Sequence, residues 1–188
     1  MKHLFFFVFF VAVTVSAQNT GTISTPDTLY KVCLDSDSWP EESEYSSVFQ
    51  ICGYVNAKGE IVIPVGKYEA CFSDLFTSFA VVKTYGKNSG ACAVDRDGNV
   101  LFKVFWFDNW ADELSDGMIR IVNDEGKIGY ADHTGKIVIE PVYSWGDSFT
   151  DGTAMVTYSH RLERLDDEHH RIKTDSWLTI DKTGKVIQ

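Results

Sequence analysis

The sequence is poor in the residues and motifs that mark most enzymes. Proline occurs 4 times in 188 residues, cysteine 4 times and methionine 3 times. Basic residues number 17 against 27 acidic ones, a formal net charge of −10. Nucleic-acid binding rests on neutralising phosphates with lysine and arginine, so this balance argues against a nucleic-acid partner. It favours solubility and repels the chain from anionic membrane surfaces. There is no G-x-S-x-G nucleophile elbow, no H-E-x-x-H, no P-loop and no dinucleotide fingerprint. The absence of C-x-x-C removes support for a redox motif or a zinc knuckle.

Long apolar runs are also missing, with one exception at the start. Met1-Lys2-His3 is a short basic opening, Leu4 to Val13 is unbroken apolar sequence, and Val15-Ser16-Ala17 supplies small residues for cleavage. This is the three-part layout of a secretory signal. The run is shorter than the roughly 20 residues of a membrane-spanning helix, so no span is expected in the mature chain. No cysteine follows the cleavage point, which argues against a lipid anchor. The expectation is an exported chain, periplasmic, envelope-bound or extracellular, with residues 1–17 as signal and 18–29 as a polar leader.

What the chain does have is a repeat. Asn56-Ala57-Lys58-Gly59-Glu60, Asp95-Arg96-Asp97-Gly98-Asn99, Asp132-His133-Thr134-Gly135-Lys136 and Asp181-Lys182-Thr183-Gly184-Lys185 are near copies, each followed by an apolar β-branched run. Their glycines are 39, 37 and 49 residues apart. A period of this length marks a supersecondary unit that is copied and stacked. Asp or Asn at the first place of a turn accepts hydrogen bonds from the backbone that follows, and glycine at the fourth takes positive φ. Ile137-Val138-Ile139 beyond the turn reads as a strand that Pro141 ends, as Pro64 does in the first copy. Asp116-Gly117 and Asp151-Gly152 then launch further strands, the place of Gly117 being taken by Ser78 in the first unit. The fold class is therefore all-β: about three four-stranded units near 51–89, 90–125 and 126–175, and a closing half-unit, 176–188. Residues 28–34 add an edge strand. The array is either closed like a propeller, bringing Val32 to Ile180, or open like a solenoid or barrel-like sheet.

Over about residues 51–188 this pattern resembles the WG repeat, found in bacterial repeat proteins, with a unit close to Gly-Lys-Trp-Gly-Tyr-Ile-Asp, a Gly-Lys turn, Ile-Pro-Pro-x-Tyr, then Phe and Gly-Leu-Ala-x-Val. The place of its tryptophan holds Cys52, Ala91, Ile128 and Trp177, and the glycine after it is Gly53, Cys92, Gly129 and Leu178. Trp145-Gly146 is a Trp-Gly pair in a different part of the unit. If the tryptophan place packs between units, Phe102, Phe105, Trp106, Phe107 and Trp110 supply the missing bulk. The resemblance implies a repeat fold and no shared catalytic residue.

Cysteines at 33, 52, 71 and 92 allow three pairings of two disulfides in an exported chain, and they also suit four buried strand positions. Two departures from the repeat supply candidate contact residues. Phe105, Trp106, Phe107 and Trp110 put four rings into six residues beside Asp108 and Asn109, which suits a sugar or a protein partner. Strand alternation expects one set of these rings out and the other in. The second departure lengthens the last spacing: Tyr158 to Lys173 reads as a protruding hairpin turning near Asp166-Asp167, in which His160 and His170 approach one another beside His169. Those histidines and acids are metal-ligand types, yet alternating charge is what a solvated loop also shows. Asp95-Arg96-Asp97-Gly98-Asn99 fails as a calcium loop, because the place of its bidentate acid is Trp106. No cofactor is expected. The reading is a non-catalytic exported module that binds a protein or glycan partner, the alternatives being a hydrolase of carbohydrate or envelope substrates and a metal-responsive sensor.

Overall fold

The structure, a computed structural model, describes residues 28–34, 50–86, 90–107, 109–165 and 170–188. The expected signal, most of the leader, the acidic loop at 35–47, the hairpin tip with Asp166 and Asp167, and His169 lie outside those residues. Eighteen strands and no helix occur among the described residues, so the chain is an all-β repeat protein.

Strand β1 (Leu29–Cys33) precedes the units. The first unit contains β2 (Cys52–Val55), β3 (Ile61–Ile63), β4 (Ala70–Cys71), β5 (Leu75–Phe76) and β6 (Ala80–Lys83). The second contains β7 (Ala91–Val94), β8 (Val100–Val104), β9 (Trp106–Phe107), β10 (Trp110–Ala111) and β11 (Met118–Val122). In the third, β12 (Ile128–Asp132), β13 (Ile137–Tyr143), β14 (Trp145–Gly146) and β15 (Thr153–Thr157) are followed by β16 (Arg161–Arg164) and β17 (His170–Lys173). The half-unit adds β18 (Leu178–Asp181). A seven-stranded sheet, in the order β13-β12-β11-β8-β7-β6-β4, runs through all three units. A four-stranded sheet, β3-β2-β1-β5, covers one end and β14-β15-β18 the other.

The turns explain why these residues form hairpins. Asp132 Oδ1 accepts the N–H groups of Thr134 at 2.9 Å and Lys136 at 3.1 Å, and Asn56, Asp95 and Asp181 do the same in their units. Gly59, Gly98, Gly135 and Gly184 take φ of 80° to 88°, where a side chain would be strained. A fifth copy appears at Asn123, whose Oδ1 accepts from Glu125 and Lys127 ahead of β12. Asp116-Gly117 and Asp151-Gly152 have positive φ at both residues, the geometry of a two-residue hairpin turn, and launch β11 and β15.

Past each main turn the strand carries one residue too many. Val55 pairs with Ile61 but Tyr54 with Ile63; Val94 pairs with Val100 but Ala93 with Phe102; Ala131 pairs with Ile137 but Tyr130 with Ile139. In the half-unit Ile187 and Gln188 both donate to the Thr179 carbonyl. Val62, Leu101, Val138 and Ile187 are thus bulge residues. With Ile61, Val100, Ile137 and Val186 they form a repeated row of aliphatic side chains, 37% to 62% exposed. Bulges of this kind bend a strand and blunt its edge against pairing with another chain.

The core consists of three clusters, and period-2 alternation shares each hairpin between two of them. In β6, Ala80 and Val82 face the first cluster and Val81 the second; in β7, Cys92 and Val94 face the first, and Ala91 and Ala93 the second. Ile119, Ile121 and Ala131 close the second cluster, while Met118, Ile128 and Tyr130 open the third. The first and third clusters are built alike. Buried Tyr54 donates to the Ser73 carbonyl at 2.9 Å and meets Phe76 edge-on, while Tyr130 donates to the Asp147 carbonyl at 2.8 Å and meets Phe149 edge-on.

Gly53 and Gly129 are required in those units by close backbone approach. A Cβ on Gly53 would lie 2.7 Å from Val65 N, and one on Gly129 would lie 2.6 Å from Pro141 N. The second unit, with Cys92 at this place and no proline, has no such crossing. There Ala91 fills the tryptophan place and packs in one cluster with Phe102 and Trp106, whereas Phe107 and Trp110 remain exposed and add no interior bulk.

The array is open among the described residues. Val32 pairs with Gly53 in the first sheet, and Ile180 with Ala154 in the last. Strand β1 corrects one expectation: it lies between β2 and β5 rather than at an edge, because Leu29 and Tyr30 also pair with Phe76 and Leu75. Cys33 sits opposite Cys52 on these strands, and the two form the disulfide. Cys71 and Cys92 flank Val82 on separate strands and are free thiols in the first cluster. Burial pushes the Cys71 thiol up to about 11, so it stays protonated and unreactive at neutral pH.

Candidate functional site

The ring-rich strand of the second unit is a short hairpin, Trp110 opposite Phe107 and Ala111 opposite Trp106. Its rings divide between two sides. Trp106 and Trp110 turn to Phe72 of the first unit, with centroids 5.6 and 5.1 Å away, and Trp110 Nε1 donates to Glu113 at 3.2 Å. Phe105 and Phe107 turn to the third unit and lie stacked at 6.3 Å. The division of rings into two sets agrees with alternation, but neither set is fully interior. Phe105 and Trp106 are half-buried, while Phe107 and Trp110 are 58% and 50% exposed.

Trp145 is the residue that gathers the rest. It lies on β14, held by pairing with Thr157 of β15. Its ring meets Phe105 edge-on at 5.6 Å, Phe107 at 6.0 Å and the imidazole of His160 at 5.7 Å. Trp145 Nε1 donates to Asp147 Oδ1 at 3.0 Å. His160 Nδ1 is hydrogen-bonded to Ser144 Oγ, and Tyr158, 58% exposed, rests on Tyr143 at 5.1 Å. The two departures from the repeat, far apart in sequence, therefore meet on one tryptophan.

Beneath this surface Arg120 of β11 ties the parts together. Its guanidinium lies 4.6 Å from the Phe105 ring centre, donates to the Gly146 carbonyl at 3.3 Å, and pairs with Asp112 at 2.5 Å. The side chains are 12% and 8% exposed, so this is a buried ion pair. Asp112 also accepts the Arg120 backbone N–H at 2.9 Å. On the far side of Asp112 a cavity of about 230 Å³ is lined by Phe72, Asp74, Glu113, Leu114 and His133 among others.

The 158–173 hairpin forms, with Arg161 opposite Lys173 and Arg164 opposite His170. That register overturns the approach of His160 to His170. His170 sits opposite a residue four places beyond His160, roughly 13 Å along the strand. The hairpin is pinned at its base by two threonines. The Thr157 hydroxyl donates to the Ser159 carbonyl at 2.9 Å and accepts the Thr174 hydroxyl at 2.9 Å. Glu163 bridges Arg171 and Lys173, and these cations hold its carboxyl below the usual range. Among the described residues no three or more His, Cys, Asp or Glu side chains are gathered so as to hold a metal ion. No helix among them is long and apolar enough to cross a membrane.

Trp145, Asp147, Phe72 and Arg120 were not singled out by sequence reasoning. The one available signal was Trp145-Gly146 itself, a pair placed outside the repeat's tryptophan position.

Fold and site together define an open all-β repeat protein with an aromatic surface where its repeat is interrupted. The model of the WG containing repeat matches residues 53–87 and 128–158, and these segments belong to that family. They are the parts of the chain that carry the glycine–proline crossings, Gly53 with Pro64 and Gly129 with Pro141. No curated protein matches the chain, and no solved structure does.

Proposed function

We propose that this chain is a non-catalytic binding module of the bacterial cell envelope, exported by its N-terminal signal, and that Phe107, Trp145, Tyr158 and His160 form its contact surface. One observation carries the reading: Trp145 joins the aromatic strand of the second unit to the base of the inserted hairpin. Exposed rings held by their neighbours lose little conformational freedom on binding, which favours them as contact residues. The repeat supplies the rigid frame, with Arg120 fixing Phe105 and the Gly146 carbonyl at the back of the surface.

The test is retention of cell-envelope fractions, glycan and protein separately, on the immobilised chain. Phe107→Ala and Tyr158→Ala remove exposed rings and leave the melting temperature nearly unchanged. The expected result is at least a tenfold loss of retention for Phe107→Ala in one fraction. Retention by Phe107→Ala and Tyr158→Ala equal to that of the unaltered chain refutes the proposal.

A further inference from the structure

We infer that the ligand of this surface is an uncharged oligosaccharide, an assignment that rests on the binding reading above and narrows it to one chemical class. Size is the first argument. Phe107 and Tyr158 are each 58% exposed and Trp145 is half-buried, so the open ring area is on the order of 300 Å². A stable protein–protein interface needs about 800 Å² from each partner. The open rings alone fall well short of that and match one or two sugar rings.

Shape and polarity are the second argument. The planes of Phe107 and Trp145 meet at 76° with centroids 6.0 Å apart, which makes an aromatic corner rather than a flat patch. A pyranose stacks its C–H face on one such ring and turns its equatorial hydroxyls to the side, where they need polar partners. Asp147 supplies them. Its carboxylate is exposed and is held beside the indole by Trp145 Nε1. Its backbone is fixed on both sides, N–H to Met155 and carbonyl to Tyr130. Ser144 and His160, hydrogen-bonded together, add polar groups at the other end. A prepositioned carboxylate beside an aromatic wall forms hydrogen bonds to vicinal hydroxyls without first paying ordering entropy.

Charge is the third argument. The corner exposes one carboxylate, the arginine behind it (Arg120, against Phe105) is buried and paired with Asp112, and the chain carries a net charge of −10. Phosphorylated, sulfated and uronic-acid glycans are therefore repelled, and an uncharged sugar is what remains.

The experiment is a calorimetric titration of the full chain with chitotetraose, cellohexaose, maltohexaose and xylohexaose, followed in parallel by the Trp145 indole N–H signal. The inference expects saturable binding of at least one probe with movement of that signal. It also expects at least tenfold weaker binding in Phe107→Ala and Asp147→Ala at unchanged melting temperature. Asp147→Asn, which keeps a hydrogen-bonding group, retains more affinity than Asp147→Ala. Binding of none of the four, or binding indifferent to Phe107→Ala, overturns the inference. If no sugar binds yet Phe107→Ala still abolishes retention of an envelope fraction, the ligand class is wrong and the contact surface is right. If Phe107→Ala alters neither, both readings fail.

Discussion

The first and third units are near copies, and the second unit between them is not. In the copies a buried tyrosine reaches the carbonyl of a residue 17 or 19 places on, outside any strand, a phenylalanine closes on its ring, and a glycine lets the post-turn strand cross at a proline. The second unit has Ala93 in place of the tyrosine and Cys92 in place of the glycine. It keeps the turn and the bulge but gives up the crossing. The aromatic segment Phe105 to Trp110 appears in this unit, and its rings reach Phe72 of the first unit and Trp145 of the third. The difference separates two tasks: units that satisfy the repeat make the frame, and departures from it make the surface.

The comparison is broken most severely by removing the ion pair behind the surface. Arg120→Ala leaves Asp112 buried without its cation and is expected to cost about 4 kcal/mol; chemical denaturation measures it. Next comes the crossing itself. Gly129→Ala pushes a methyl group into the backbone at Pro141 and is expected to cost about 3 kcal/mol. Cys92→Ala, at the equivalent place in the second unit, costs about 1 kcal/mol, since it removes only a buried sulfur. Equal losses at both places would mean that the units do not differ in the way described. Reduction of Cys33–Cys52, which closes a 19-residue separation at the first unit, removes about 3 kcal/mol. The same experiment in denaturant with a thiol reagent exposes Cys71 and Cys92, which resist modification in the native chain.

The smallest effect concerns the turns. Hydrogen bonds from Thr134 and Thr183 hold the Asp132 and Asp181 carboxyls below the usual range, and Asn99 does so for Asp95. A carboxyl with a depressed folded-state value adds stability above its unfolded value of about 4 and loses it as pH falls through the folded value. Melting temperature is therefore expected to decline below about pH 4. Asp132→Asn should flatten part of that decline without unmaking the turn, because Asn56 and Asn123 already make the same bonds uncharged. An unchanged acid profile in Asp132→Asn would remove that carboxyl from the account.

The turns were legible because their chemistry is local: an Asx side chain, two backbone donors and a glycine within five residues. The copy at Asn123 escaped notice because it joins β11 to β12 between main turns and so falls outside the glycine spacing. The Val62, Leu101 and Val138 bulges leave no mark in composition, since an extra β-branched residue looks like one more strand position. The hairpin at 158–173 was legible from its alternating charge, but its register was not. A shift of a few residues decides whether His160 meets His170 or Trp145, and only the pairing of Arg161 with Lys173 settles it. Trp145 itself was visible as a residue and invisible as a centre, because its partners come from positions 105, 107 and 160.

The most direct test sets one exposed side chain of the departures against one of the repeat. Phe107 and Val62 are both exposed, the first on the aromatic corner and the second on the aliphatic row. Retention of cell-envelope fractions on immobilised Phe107→Ala and Val62→Ser chains distinguishes the two surfaces. The account expects retention to be lost in Phe107→Ala and kept in Val62→Ser. Loss in Val62→Ser with retention intact in Phe107→Ala would place function on the repeat and contradict it.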